Sequence, residues 1–241
     1  MKTGAAPIAI LSAIHEEQHA LLALVDDVER IEIAGRQFHC GQLHGRSVVL
    51  VLSGIGKVAA AATATLLVDR FAAGELLFIG VAGGLHADVA VGDVVVARSL
   101  LQHDMDASPL FPRYEVPLTG RSHFDADLQR ATALAHSARR CVAGTCRVHE
   151  GLVVSGDRFV SSAAESAALR KALPDALAVE MEGAAVAQVC SDFGRPFAVL
   201  RSISDRADDA AHVDFSRFVA DVASVHARAI VDDWMFGRSN R

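Results

Sequence analysis

The sequence predicts an α/β protein in which a mostly parallel, mixed central sheet is flanked by helices on both faces. Segments with strand and helix patterns alternate along the chain, as they do when successive strands are joined by helices. The 241 residues are 51% hydrophobic but only 5% aromatic, so small and branched aliphatic side chains must build the core. That composition suits a sheet buried on both faces by Ala-rich helices. Because no Pro/Ser-rich linker or charge block divides the sequence, we expect a single domain over residues 1–241.

The first half of the chain contains six predicted strands and two predicted helices. Apolar or alternating runs indicate strands over 8–12, 31–34, 37–43, 48–53, 76–81 and 93–98. Leucines at helical spacing indicate an amphipathic helix over 16–27, and an Ala/Leu-rich run indicates a second helix over 57–71. A Gly-rich turn is expected between the last two strands. Residues 102–122 contain three prolines and little periodicity, so we expect a long irregular loop, which in a compact domain is usually functional.

The second half repeats the alternation. Helices are expected over 125–137, 163–172, 183–193 and 215–234, and strands over 144–154, 177–179 and 197–203. In open α/β sheets the ligand binds at the carboxyl ends of the strands. Polar residues directly after predicted strands are therefore the candidates for a functional site.

Charge and composition exclude several classes of partner. The net charge is −6 and no basic stripe is present, so nucleic acid is not expected to bind. Apolar stretches are interrupted well before the length of a membrane span, and no signal-peptide pattern is visible, so we expect a cytoplasmic protein that does not associate with membranes. The spacing of the four cysteines matches no zinc motif, and reduced thiols are expected.

Five segments lie directly after predicted strands. They cover residues 12–17, 53–57, 80–84, 179–183 and 201–205. Three of these strand ends carry acids, one of them together with an arginine, and the other two carry glycines. This set suits a neutral polyhydroxyl ligand, since a phosphate site would need more positive charge.

Each charged residue of this set also has a structural explanation. Glu17 could be a first-turn acid that favours the helix dipole, and Asp205 could be an N-cap or turn residue. Arg201 ends an apolar strand, where a lone cation usually pairs with a carboxylate. Glu180 and Glu182 could be solvated turn residues, but they flank a single residue between an apolar strand and an apolar helix, so both cannot easily face water.

Two motifs are rejected as cofactor sites, and we expect neither a cofactor nor a metal. Residues 54–59 match the dinucleotide pattern G-x-G-x-x-G/A, but the next strand lacks the acid that would bind the ribose. His103, Asp104 and Asp106 could suggest metal ligands, but two histidines on one helix or a third ligand at suitable spacing are missing.

Six motifs in order carry a resemblance to a known family. They are SGIGKV from Ser53, AGG from Ala82, VGDVVV from Val91, VSGDRF from Val154, VEME from Val179 and RSISD from Arg201. Together they resemble the 5′-methylthioadenosine/S-adenosylhomocysteine nucleosidases of the nucleoside phosphorylase superfamily, from about residue 8 to about residue 234. The resemblance implies a nucleoside phosphorylase-like single domain.

The resemblance also implies a catalytic set. Asp205 would donate a proton to purine N7, Glu17 would activate the attacking water, and Arg201 would organise the water and the glutamates. Cleavage of the N-glycosidic bond leaves positive charge on the sugar, which nearby carboxylates stabilise.

Ligand-binding residues follow from the same resemblance. Met181 and Glu182 would contact the ribose, Phe159 would stack on the base, and the backbone of Val160 would read the edge of the base. Further ligand contacts are expected from Ile55, Val81, Ala82, Gly83, Glu180, Ser204 and Phe215, of which Ile55 and Phe215 would line the space for the 5′ substituent. The resemblance implies a homodimer in which loop 102–113 reaches the partner's site.

The resemblance implies an adenine nucleoside as substrate, with methylthioadenosine, S-adenosylhomocysteine or a relative as examples. Hydrolysis is expected because acids at the first strand end would repel phosphate. A phosphate-dependent phosphorylase, a nucleosidase for another purine nucleoside and a non-catalytic nucleoside-binding protein remain alternatives. The sequence departs from the family pattern at Val81, where the family often has Ser, and at Gly183, where it usually has Ala. Residues 103–119 also differ from the common form, so the 5′ substituent stays open.

Overall fold

The structure is a computed structural model that describes residues 5–208 and 222–239. Its strands are β1 (Ile8–Ser12), β2 (Asp26–Ile33), β3 (Arg36–Leu43), β4 (Arg46–Leu52), β5 (Glu75–Gly84), β6 (Val94–Gln102), β7 (His123–Asp125), β8 (Val148–Ser155), β9 (Ala176–Glu180) and β10 (Phe197–Asp205). Its helices are α1 (His15–Leu22), α2 (Lys57–Asp69), α3 (Leu128–Cys141), α4 (Ala163–Ala172), α5 (Gly183–Asp192) and α6 (Ser224–Ser239).

The ten strands in the described residues belong to one mixed sheet. Its order is β10-β6-β8-β9-β5-β1-β4-β3-β2, and β7 pairs with β6. Strand β10 also pairs in parallel with β5, so β5, β10, β6, β8 and β9 form a closed ring. Parallel pairing of β1 with β4 and β5, and of β5 with β10, brings the carboxyl ends of these strands to one edge. The predicted mixed α/β fold is confirmed.

Helices cover both faces of the sheet, as expected. Alternate residues of β1 point to opposite faces, so Leu11 packs in the core layer beneath α2 and α5, and Ile10 packs in the layer beneath α1, α3 and α6. Small residues such as Ala64 of α2 and Ala187 of α5 are fully buried, which lets these helices lie close to the strands. Each fully buried Leu or Ile contributes roughly 1.5–3 kcal/mol to folding.

The predicted helix over 16–27 is wrong at its end. Helix α1 stops at Leu22, and the chain then turns, with Asp27 at a positive φ of 54°. Strand β2 starts at Asp26, five residues earlier than expected, and most of its side chains are exposed at the sheet edge. An exposed edge strand lacks the buried alternation by which a strand is recognised, so its beginning was assigned to the helix.

The Gly-rich segment after residue 81 belongs to a strand. Gly83 and Gly84 pair antiparallel with Val179 and Ala178, which extends β5 beyond the predicted end. Strand β10 likewise continues to Asp205. The short strand β7 was not predicted; it takes the first residue of the expected helix over 125–137, and α3 begins at Leu128.

Two further expectations concern the loop and the last helix. Residues 103–122 form no helix or strand beyond one isolated bridge between Val116 and Arg121, so the long irregular loop is confirmed. The start of the helix expected over 215–234 lies outside the described residues, and α6 continues to Ser239. Across residues 5–208 and 222–239, none of the helices combines the length and apolar character that crossing a lipid bilayer requires.

Candidate active site

A cavity of about 460 Å³ opens at the carboxyl ends of β1, β9 and β10. Residues 81–83 of β5 also line it. Its volume is typical of sites for small molecules. Its walls are Ala13, Ile14, Ile55, Val81, Ala82, Gly83, Arg158, Phe159, Val160, Val179, Glu180, Met181, Glu182, Ser204 and Asp205. Eleven residues predicted for the site are in this set. Nine of them lie in the segments after predicted strands, whereas Phe159 and Val160 were expected only from the family resemblance.

Two further predicted residues do not line the cavity. Glu17 and Arg201 are each only 1% exposed and are not among the residues that line the cavity. Arg201 nevertheless contacts Glu180 of the cavity wall, and its charge acts on Glu17. Phe215 lies outside the described residues.

Arg201 is held rigidly beneath the cavity. Its Nη2 and Nε atoms lie 2.8 Å and 3.3 Å from Oε2 of Glu180, and its guanidinium carbon lies 4.1 Å from the centre of the Phe78 ring. Nη1 donates to the backbone carbonyls of Phe78 and Leu200. A Cβ at Gly80 would lie 3.2 Å from Nη1, so the small residue leaves room for the guanidinium. The carboxylate partner expected for a cation at this strand end is therefore Glu180.

Glu180 also organises the turn that leads into α5. Its carboxylate accepts hydrogen bonds from the backbone N–H groups of Glu182 and Gly183 and from the hydroxyl of Ser155. A Cβ at Gly183 would lie 3.1 Å from Oε1 of Glu180 and 2.7 Å from Leu100. This close approach favours glycine at this position. Glu180 borders the cavity, but the protein already supplies partners to both of its oxygens.

The buried carboxylate of Glu182 points toward the loop after β4. Its Oε1 accepts a hydrogen bond of 2.8 Å from the backbone N–H of Gly56, whose φ of 88° favours glycine. Burial, reinforced by the negative charge of Glu180, raises the pKa of Glu182 to about 7, although the Gly56 N–H and the charge of Arg201 act in the opposite direction. Glu182 can therefore exchange a proton near neutral pH.

Glu17 is a buried acid on the first turn of α1. Its neighbour Glu16 is exposed, whereas Oε2 of Glu17 is inaccessible to solvent and has no hydrogen-bond partner within the described part of the chain. Burial raises the pKa of Glu17 to about 7, against the lowering effects of Arg201 and the backbone of Ala13. A first-turn acid that served only the helix dipole would not need this burial.

Asp205 ends β10 in the wall of the cavity and is 2% exposed. Its Oδ2 accepts a hydrogen bond of 2.8 Å from the hydroxyl of Ser204, and its Oδ1 accepts one of 2.7 Å from the backbone N–H of Ala207. A Cβ at Gly83 would lie 2.9 Å from Oδ1 of Asp205. Glycine in β5 therefore makes room for the carboxylate.

Sequence reasoning missed several residues of the site. Ala13, Ile14, Arg158 and Val179 line the cavity but were not proposed as ligand contacts. Ser155 binds Glu180 from the end of β8, and the strand-end rule could have found it, since the VSGDRF motif begins one residue earlier. The apolar wall residues carry no chemical signal that sets them apart from core residues.

No metal-binding arrangement is found in the parts of the chain that the structure describes. There, no group of three or more His, Cys, Asp or Glu side chains is placed to hold a metal ion. His103 and Asp104 make other contacts: the backbone N–H of His103 donates to Ser155, and Asp104 pairs with Lys57 at 2.6 Å. All four cysteines are free thiols.

Known proteins share this sequence and fold over almost their whole length. The model of the phosphorylase superfamily matches residues 7–234. A 5′-methylthioadenosine/S-adenosylhomocysteine nucleosidase from Oceanobacillus iheyensis is 36% identical over 225 residues, which are 93% of this chain and 97% of the relative.

Solved structures agree with the sequence relatives. The nucleosidase of the same name from Neisseria meningitidis, in complex with methylthio-immucillin-A, superposes with a TM-score of 0.91 at 34% identity, covering 96% of this chain and 99% of the other. A futalosine hydrolase from Helicobacter pylori superposes with a TM-score of 0.86 at 37% identity, covering 94% and 96%. The chain belongs to the phosphorylase superfamily and, within it, to the 5′-methylthioadenosine/S-adenosylhomocysteine nucleosidase family.

Proposed function

We propose that the protein hydrolyses the N-glycosidic bond of an adenine nucleoside and releases free adenine, with methylthioadenosine, S-adenosylhomocysteine or a close relative as substrate. One observation carries the proposal: Glu182 and Asp205 line one cavity, and Arg201 lies behind its wall with its charge acting on both Glu182 and Glu17. The nucleosidase relatives support the same reaction.

The reaction assigns one task to each acid. As the bond from C1′ to the purine nitrogen breaks, its electron pair moves into the purine, and Asp205 donates a proton to N7. Glu182 accepts hydrogen bonds from the ribose hydroxyls and stabilises the positive charge that develops on the sugar. Water then attacks C1′ and gives up a proton to Glu17. A pKa of about 7 suits Glu17 to this step, because a general base works best when its pKa lies near the working pH.

Hydrolysis is favoured over phosphorolysis by the charge of the site. The guanidinium of Arg201 is occupied by Glu180, and that of Arg158 pairs with Glu165 at 2.7 Å. Glu17 and Glu182 would repel a phosphate dianion.

The nature of the 5′ substituent is a second question. Ile55 and Phe159 are exposed at the cavity and offer an apolar surface to this part of a substrate, and Val81 adds a further apolar side chain. The likeness to a futalosine hydrolase makes futalosine worth including among the substrates tested. A homodimer in which loop 102–113 completes the partner's site, and a cytoplasmic location, also remain predictions. Light scattering coupled to gel filtration tests the dimer.

The deciding experiment is a nucleoside panel scored by chromatography for the released base, with and without phosphate. We expect adenine release without phosphate from at least one 5′-thio-substituted adenosine. Asp205→Asn should reduce turnover by roughly 10²–10⁴-fold, whereas Asp88→Asn, a change at an exposed acid, should not. A phosphate requirement would favour a phosphorylase. Release of only a different purine base would favour another nucleosidase, and binding without turnover would favour a binding protein.

A further inference from the structure

A second polar network joins three segments next to the cavity. Lys57 begins α2, Asp104 follows β6, and Asp157 follows β8. The Nζ atom of Lys57 lies 2.6 Å from Oδ1 of Asp104, and the backbone N–H of Asp157 donates to Oδ2 of the same carboxylate at 2.9 Å. The backbone N–H of Lys57 in turn donates to Oδ1 of Asp157 at 2.7 Å. These contacts form a closed set, so the three segments hold one another in place.

This network directly adjoins the hydrogen bond made by Glu182. Gly56, whose N–H donates to Glu182, precedes Lys57, and a Cβ at Gly56 would lie only 3.0 Å from Oδ1 of Asp157. Asp157 also lies two residues before Phe159, and Phe159 is part of the cavity wall. A shift of Lys57 or Asp157 would therefore move the N–H donor away from the carboxylate.

We propose that the Lys57–Asp104–Asp157 network is a positioning element that fixes the Gly56 N–H on Glu182 and so keeps this carboxylate oriented for the ribose. The proposal rests on the proposed function, since that function assigns the ribose hydroxyls to Glu182. Lys57, Asp104 and Asp157 are positioning residues, because they act on the substrate through Gly56 and Glu182.

The electrostatics of the network fit this role. Burial would raise the pKa of Asp104, but hydrogen bonds from Lys57 and from the backbone N–H of Asp157 lower it below its ordinary value. Asp104 therefore remains ionised at neutral pH and keeps Lys57 paired. Around Glu182, the charge of Glu180 raises its pKa, whereas Arg201 and the Gly56 N–H lower it. Displacing the Gly56 N–H removes one of the groups that favour the charged form, so the pKa of Glu182 must rise further.

Three variants test the proposal. Asp104→Asn removes the charge that pairs with Lys57, Lys57→Met removes the cation but keeps its aliphatic stem, and Lys57→Arg retains the charge. The matched control is Asp232→Asn on α6, which alters a carboxylate contact of similar length, 2.7 Å from Oδ1 of Asp232 to Nε2 of His44. Because the network acts on ribose binding, we expect both network-breaking variants to lower kcat/KM about tenfold, mainly through KM. The acid limb of the pH profile should move to higher pH, and Lys57→Arg should largely restore both properties.

A second measurement requires no turnover. The NMR chemical shift of the carboxyl carbon of Glu182 is followed through a pH titration of ¹³C-glutamate-labelled protein. Its signal is identified as the one that is missing from the spectrum of Glu182→Gln. We expect its midpoint to rise by roughly half a pH unit in Asp104→Asn and Lys57→Met but not in Asp232→Asn. An unchanged midpoint, or an activity loss that only follows the folded fraction measured by circular dichroism, would overturn the proposal. If the wild type released no adenine, the proposed function would fail, while the titration would still decide whether the network controls Glu182.

Discussion

Replacing Glu17 by Gln should stabilise the fold while removing activity. The ordinary pKa of a glutamate, 4.5, rises to about 7 at Glu17, chiefly because the side chain is buried. Between these two pH values the folded protein binds a proton at Glu17 that the unfolded chain has released. This proton binding stabilises the folded state; the contribution is complete at low pH and is lost as the pH rises through 7. A difference of about 2.5 units corresponds to about 3 kcal/mol at pH 8. Gln never becomes charged and should therefore avoid this loss.

The assay is urea unfolding at pH 5 and pH 8, at equal protein concentration, followed by fluorescence of the single tryptophan, Trp234, which is 2% exposed. At pH 8 we expect Glu17→Gln to be more stable than the wild type by about 3 kcal/mol, and at pH 5 by less than about 1 kcal/mol. The turnover of Glu17→Gln should be roughly 10²–10⁴-fold below that of the wild type, because the proposed general base is missing.

The control is Glu16→Gln, which removes a charge from the exposed neighbour on the same helical turn. It should leave stability nearly the same at both pH values, as surface substitutions usually do. If Glu17→Gln gave no stability advantage that grew between pH 5 and pH 8, burial would not be raising the pKa of Glu17. The assignment of this residue as a base working near pH 7 would then be refuted.

Three further outcomes follow from the same geometry. The pKa values of Glu17 and Glu182 are raised to about 7, and both side chains should act in their ionised form. We therefore expect kcat/KM to rise with pH through about 7. A pH profile of kcat/KM from 5 to 9 tests this, and a flat profile would contradict it. Gly83→Ala should sharply reduce adenine release while the protein still folds, since the Cβ of the new alanine would lie 2.9 Å from Oδ1 of Asp205. Adenine release at the wild-type rate would show that the cavity wall can move to accept this Cβ. Arg201→Met should destabilise the protein by about 3–5 kcal/mol, because it leaves a buried carboxylate without its cation; urea unfolding at pH 7 measures the loss, and a change below 1 kcal/mol would contradict it.

The strand-end rule explains why so much of the site could be predicted from sequence. Strands of one direction bring their carboxyl ends to a single edge, so residues far apart in the sequence, such as Glu182 and Asp205, were expected to be neighbours. The rule needs only apolar runs and the polar residues that follow them, and both are local features of the sequence. It therefore located much of the cavity wall without knowledge of which strands are adjacent, whereas Phe159 and Val160 were expected only from the family resemblance.

What escaped prediction depends on contacts between distant segments. Gly83 and Gly84 look like a turn in the sequence, and only pairing with β9 makes them part of a strand. The sequence indicated that Arg201 needs a carboxylate partner, but it could not distinguish Glu180 from Glu182, which lie two residues apart. The packing of the folded chain determines which glutamate pairs with Arg201. The turn into α5 directs Glu180 at the guanidinium and Glu182 at the N–H of Gly56.

The different partners of the two neighbouring glutamates, Glu180 and Glu182, determine which acid the charge of Arg201 neutralises directly. Arg201 is a buried cation that contacts Glu180 directly, while its charge only partly offsets the burial of Glu17 and Glu182. If Arg201 paired directly with Glu17 instead, the closer cation would lower the pKa of that acid and make it a weaker base for water. The pairing with Glu180 thus leaves Glu17 able to accept a proton near pH 7, as its proposed role requires, and the lower stability predicted at alkaline pH is the consequence of keeping this acid buried.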